Sequence, residues 1–223
     1  MDESKKRKEI MQVIRLLKGK YNTKPTLSYK NRFELLIAAI LSVQSKDTSV
    51  NEVTKSLFKK YKVPEDFANI PPSSLHSSLR SLGLYRAKSK HIVEASKKIV
   101  EEFGGRVPGS MEELTSLPGV GRKVANVILS YGFGLNEGIA IDTHCIVVAN
   151  RLGLASSRNP SAIEKELMEI TPKKEWANLS MLFIKLGRDT CTSRKAFCER
   201  CILQKICPSS TASVNKVKAK VIK

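Results

Sequence analysis

With 223 residues, 41% of them hydrophobic and 27% charged, the chain can hold one or two domains with a sizeable core, and its make-up is that of an ordinary globular protein. Its 39 Lys and Arg against 21 Asp and Glu leave a net charge of +18. Such a surplus points to a polyanion, nucleic acid first, because neutralising phosphates releases counterions; the plain alternative is a solubility surface. No apolar run reaches transmembrane length, and the charged start MDESKKRKEI has no hydrophobic stretch, so a protein neither exported nor membrane-spanning is expected. That places it in a reducing compartment (the cytoplasm, if the source is prokaryotic), where clustered cysteines are more often metal ligands than disulfides.

In chain order the pattern is helix after helix, with no fixed repeat. Ile10, Val13, Ile14 and Leu17 form one helical stripe. A turn-rich stretch around Pro25 follows. Asn31 and Glu34 have capping-box spacing, and the run Phe33–Leu41 is apolar on all sides, as a central buried helix would be. Asp47 is expected to cap the next helix, with Val50, Val53, Leu57 and Tyr61 on its inner face. Leu75, Leu79 and Leu82 mark a short helix. Ile92, Ala95, Ile99 and Phe103 mark a longer one, ended by Gly104-Gly105. Ser110 with Glu113, and Ser161 with Glu164, repeat the cap spacing. Further helices are expected near 122–131, 143–151, 162–170 and 175–186, and strand alternation only in the short stretch 138–141. The class is all-α, and the basic tail with Lys216, Lys218, Lys220 and Lys223 is expected to fray.

Cys191, Cys198, Cys201 and Cys207 are separated by six, two and five residues. Four thiolates within 17 residues can surround one metal centre, iron–sulfur or zinc, since both take four cysteines. Structural zinc sites usually show two short-spaced pairs, and here there is one. Arg194, Lys195, Arg200 and Lys205 make the ligand segment basic, as a phosphate-facing loop would be. Cys145 stands apart and is read as a small core residue.

Leu117-Pro118-Gly119-Val120-Gly121-Arg122-Lys123 joins two helical segments. Pro118 stops the first, and the glycines permit a tight turn and close approach of another backbone. The turn feeds a helix N-terminus, where free N–H groups suit a phosphate. Lys123 lies in the first turn of that helix. The dipole and Arg122 disfavour an ammonium there, and partial burial would add to this; a neutral amine is a nucleophile. From the residue alone, a surface lysine touching phosphate is the simpler reading. Downstream, Asp142 of Ile141-Asp142-Thr143-His144 can cap a helix, aim a carboxylate at a developing sugar cation, or both.

In combination and order, these pieces resemble the endonuclease III family of helix-hairpin-helix DNA glycosylases from about Asn31 to Cys207. The marks are Phe33–Ile37 leading to Leu41-Ser42-Val43-Gln44, Gly83-Leu84-Tyr85, Leu117–Lys123, Ile141–His144 and the four cysteines. The resemblance implies two domains: a six-helix barrel over residues 25–135, and a domain of residues 1–24 and 136–223 holding a [4Fe–4S] cluster on the four cysteines. It implies a bifunctional enzyme acting as a monomer on double-stranded DNA, removing oxidised or ring-saturated pyrimidines flipped out of the duplex. Lys123 would attack C1′, Asp142 would assist, and β-elimination would nick the strand. Gln44 and Leu84 would fill the gap. The N–H groups of Gly119, Val120 and Gly121 would hold phosphate, with a monovalent cation at the hairpin, while Arg122 and His144 would add DNA contacts. Val147 and Ser45-Lys46 depart from the family pattern near the expected DNA face. The rivals are a mismatch glycosylase removing uracil or thymine, and a non-catalytic iron–sulfur DNA-binding protein.

Overall fold

The computed structural model describes residues 3–212; the lysines of the basic tail lie outside them. Helices dominate. Among the described residues there is no strand, only an isolated bridge between Cys191 and Ala196, and the stretch 138–141 expected to alternate is irregular. No helix is long and apolar enough to cross a membrane. The chain divides into two compact units, Pro25–Glu137 and the pair Met1–Lys24 with Gly138–Lys223.

Helix α1 (Glu3–Lys18) belongs to the discontinuous unit. The continuous unit follows, centred on α2 (Arg32–Ser42). Every residue from Phe33 to Leu41 is buried, because α3 (Asp47–Lys60) and later helices cover α2 on several sides. Asn31 caps α2, accepting from Glu34 N at 2.9 Å. The Glu34 carboxylate reaches one residue further back than a capping box requires, to Lys30 N at 2.7 Å. Asp47 is not a cap: it is the first residue of α3, after a Lys46 cap with no side-chain bond, and its carboxylate accepts from Thr26 Oγ1. Short helices α4 (Pro64–Ala68) and α5 (His76–Leu79) lead to the long α6 (Tyr85–Phe103). Helix α6 buries Ile92, Ala95 and Ile99 and ends in two glycines at φ 56° and 74°, a left-handed exit that suits glycine. Then come α7 (Met111–Thr115), capped by Ser110, and α8 (Arg122–Ile128), which continues as a π turn over Leu129–Phe133. Arg32 closes that turn, donating to Gly132 O at 2.8 Å while its guanidinium lies 4.1 Å from the Phe133 ring centre. Leu36→Ala, at a side chain with no exposure, is expected to cost about 3 kcal/mol, read as a lower urea midpoint.

The other unit completes α1 with α9 (Thr143–Arg151), α10 (Pro160–Ile170) and α11 (Trp176–Asp189). The stripe Ile10, Val13, Ile14 and Leu17 is fully buried in this core, and this apolar face is the main attachment of α1. Polar ties add to it: Lys18 to Glu175, and Lys20 and Tyr21 to Asp189, at 2.6–2.9 Å. Asn159, not Ser161, caps α10, accepting from Ser161 N and Ala162 N. Pro160 at the first helical position sets that start two residues earlier than the spacing of Ser161 and Glu164 suggests.

Candidate DNA-repair site and cysteine centre

The hairpin is held from below and open above. Leu117 and Val120 are buried, and Gly119 takes φ 80°. A Cβ on Gly119 would come within 2.9 Å of His91 Cβ on α6, so glycine answers both to the backbone and to the close approach. A Cβ on Gly121 would meet nothing within 4 Å. Val120 N–H donates to Leu117 O at 3.1 Å, so of the three hairpin N–H groups expected to hold phosphate, this one is already engaged by the turn. Arg122 and Lys123 open α8 and are exposed. The exposure of Lys123 fits the simpler reading of a surface lysine: Val124 and Ala125 take the inner face of this turn, so no burial adds to the effect of the dipole and Arg122 on its amine.

Gln44 and Leu84 belong to the same unit and stand out by their backbone. Among the described residues they are the two non-glycine positions with positive φ, 52° and 59°. Both are exposed, Leu84 to 56%.

Asp142 and His144 lie at the head of α9, in the discontinuous unit. Asp142 is half-buried and caps the helix, its Oδ1 accepting from Cys145 N at 2.8 Å. His144 is half-buried against Gly187 of α11, where a Cβ would come within 2.7 Å of His144 Cβ. Cys145 is buried, with its thiol directed at Ala140 O and Ser180 O.

None of the five cysteines forms a disulfide. Cys191, Cys198, Cys201 and Cys207 line one cavity after α11. Among the described residues no three His, Cys, Asp or Glu side chains converge on a point that could hold a single ion. Burial pushes the Cys201 and Cys207 thiols up, and the neighbouring thiols push them further. These groups therefore resist becoming thiolates unless a cation is among them. Two donors that sequence reasoning missed face the same cavity. Arg151 donates to Cys191 Sγ at 3.3 Å and to Thr192 O at 2.7 Å. Ser210 Oγ is buried without a hydrogen-bond partner and lines the cavity, a donor suited to a sulfide acceptor.

Comparison with known proteins identifies the family of the chain. Residues 37–173 match the family model of the HhH-GPD superfamily base excision DNA repair protein. Endonuclease III of Synechocystis sp. is 41% identical over 209 residues, covering 93% of this chain and 95% of its own. Endonuclease III of Bacillus subtilis is 44% identical over 182 residues, covering 81% and 83%. The structure of a trapped endonuclease III–DNA covalent intermediate superposes with a TM-score of 0.87 at 38% identity, covering 93% of this chain and 98% of that one. The chain therefore belongs to the endonuclease III family of HhH-GPD base excision repair proteins, which are DNA glycosylase/lyases.

Proposed function

We propose that the protein removes oxidised or ring-saturated pyrimidines from duplex DNA and nicks the resulting abasic site, with Lys123 as nucleophile. The observation that carries this reading is the placement of Lys123: exposed, in the first turn of α8, two residues beyond a glycine whose outer face is open. A backbone phosphate on the N–H groups of Gly119 and Gly121 sets the strand beside it, Arg122 adds charge, and a monovalent cation would sit on hairpin carbonyls. The Lys123 amine attacks C1′ of the flipped nucleotide, and the glycosidic bond breaks with the base taking a proton. Opening of the sugar ring leaves an iminium on Lys123. Loss of a C2′ proton and of the 3′ phosphate then cuts the strand. Asp142 moves protons and stabilises the developing positive charge, and His144 beside it contacts DNA. Gln44 and Leu84 fill the space the flipped nucleotide leaves.

Cys191, Cys198, Cys201 and Cys207 would hold a [4Fe–4S] cluster, with Arg151 and Ser210 donating toward its sulfurs. Bound there, the cluster supplies rigidity to the basic segment carrying Arg194, Lys195 and Arg200 and is itself capable of one-electron chemistry. Ligation by thiolates suits a reducing cytoplasm.

Duplexes carrying thymine glycol, uracil opposite guanine or a G·T mismatch test the substrate class. Nicking without alkali is expected at thymine glycol alone; cleavage at uracil or G·T that appears only after alkali would favour the mismatch reading. For the cluster, Cys201→Ser is expected to abolish visible absorption and bound iron and sulfide, whereas Cys145→Ser keeps both. A colourless wild type purified anaerobically with stoichiometric zinc would overturn it.

A further inference from the structure

The strained backbones of Gln44 and Leu84 have a physical connection that the gap-filling role alone does not require. A left-handed backbone is unfavourable for a residue with a Cβ, and neither exposed side chain recovers that cost by burial. Their turns meet: a Cβ on Gly83 would come within 3.3 Å of Gln44 O. Directly beneath lies Lys88. Its N–H donates to Leu84 O at 3.0 Å, forming the first bond of α6. Its Nζ donates to Ser45 Oγ at 2.6 Å. One residue thus ties both turns, one through its backbone and the other through its side chain.

Lys88 is an expensive choice for such a tie. Its side chain is 3% exposed, and Ser45 is its only side-chain hydrogen-bond partner among the described residues. Burial disfavours the ammonium. A methionine would fill the space without that cost, so packing alone does not account for a lysine here.

We propose that Lys88 is a positioning residue that holds the Gln44 turn through Ser45, so that Gln44 and Leu84 meet DNA as one preset pair. This rests on the reading that these two side chains fill the gap at the lesion. The tie keeps two strained turns from relaxing apart in free protein, so less ordering remains to be done on binding. The benefit is confined to DNA with a gap to fill.

The test measures binding to a duplex with a tetrahydrofuran abasic analogue and to an intact duplex of equal length, using the full-length holoprotein. Lys88→Met and Ser45→Ala are each expected to weaken abasic binding about tenfold, the effect of losing one hydrogen bond to a charged group. The double variant should be no worse than either single one, since both remove the same bond. Intact-duplex affinity and salt dependence should stay near wild type, and Lys88→Arg should restore part of the loss. Ser45→Ala changes no charge, so its effect cannot be long-range attraction, and it carries the test if Lys88→Met folds poorly. Additive single effects, or an unaffected Ser45→Ala, overturn the proposal. A loss shared by both duplexes with a salt slope reduced by about one unit would instead make Lys88 a phosphate contact. Gln44→Ala and Leu84→Ala serve as the control arm. If neither weakens abasic binding, the gap-filling reading fails, and this proposal with it; if both do and Lys88→Met does not, only this proposal fails.

Discussion

Lys123→Gln is expected to leave a folded, DNA-binding protein that cannot be cross-linked to abasic DNA by borohydride. The side chain is exposed in the first turn of α8, and glutamine has nearly the helix propensity of lysine. Removing a cation from the positive end of the helix dipole changes stability by no more than a few tenths of a kcal/mol, in the favourable direction. The chemical effect is of another order. Without an amine no iminium forms, borohydride has no C=N bond to reduce, and strand cleavage falls by about 10⁴-fold or more, as when the nucleophile of a covalent mechanism is lost. Trapping by the wild type and none by Lys123→Gln, with similar affinity for the duplex, is the expected pair of results. No trapping by the wild type would favour a non-catalytic DNA-binding protein. Trapping that survives in the variant would place the nucleophile elsewhere.

Asp142 separates into two roles that substitution can distinguish. Its Oδ1 caps α9 through Cys145 N at 2.8 Å, and asparagine caps a helix as well as aspartate does. Asp142→Asn should therefore hold the melting temperature while removing the negative charge, and turnover should fall by roughly 10²- to 10⁴-fold. Asp142→Ala should lose the same activity and in addition about 1 kcal/mol of stability. Full turnover by Asp142→Asn would reduce the residue to a cap.

What could be read from the chain without coordinates follows from periodicity and special residues. The buried α2, the stripe of α1 and the caps at Asn31, Ser110 and Asp142 are local patterns, and each formed where the pattern put it. Asp47 and Ser161 illustrate the limit. Both have the composition of caps, but a Thr26 partner in one case and Pro160 in the other decided the helix start. The exposure of Lys123 was legible as the plain reading of a lysine, and Val124 and Ala125 on the inner face of α8 account for it. Lys88 did leave a signal: it shares the inner stripe of α6 with Ile92, Ala95 and Ile99, and a lysine on an apolar stripe is a departure from amphipathic design. Arg151, in the last turn of α9, looks like an ordinary complement to the helix dipole. Only its distance to Cys191 Sγ connects it to the cysteine centre.

The discontinuous unit also sets an order of events during synthesis. Helix α1 leaves the ribosome well before α9, α10 and α11, which supply the surface its buried stripe packs against. Between the end of α1 at Lys18 and the end of α11 at Asp189, translation takes roughly ten to thirty seconds at bacterial-to-eukaryotic rates. The unit Pro25–Glu137 is complete well before then. During that interval Ile10, Val13, Ile14 and Leu17 have no partner from their own core, and a helix made before the Pro25–Glu137 unit docks only after that unit is complete.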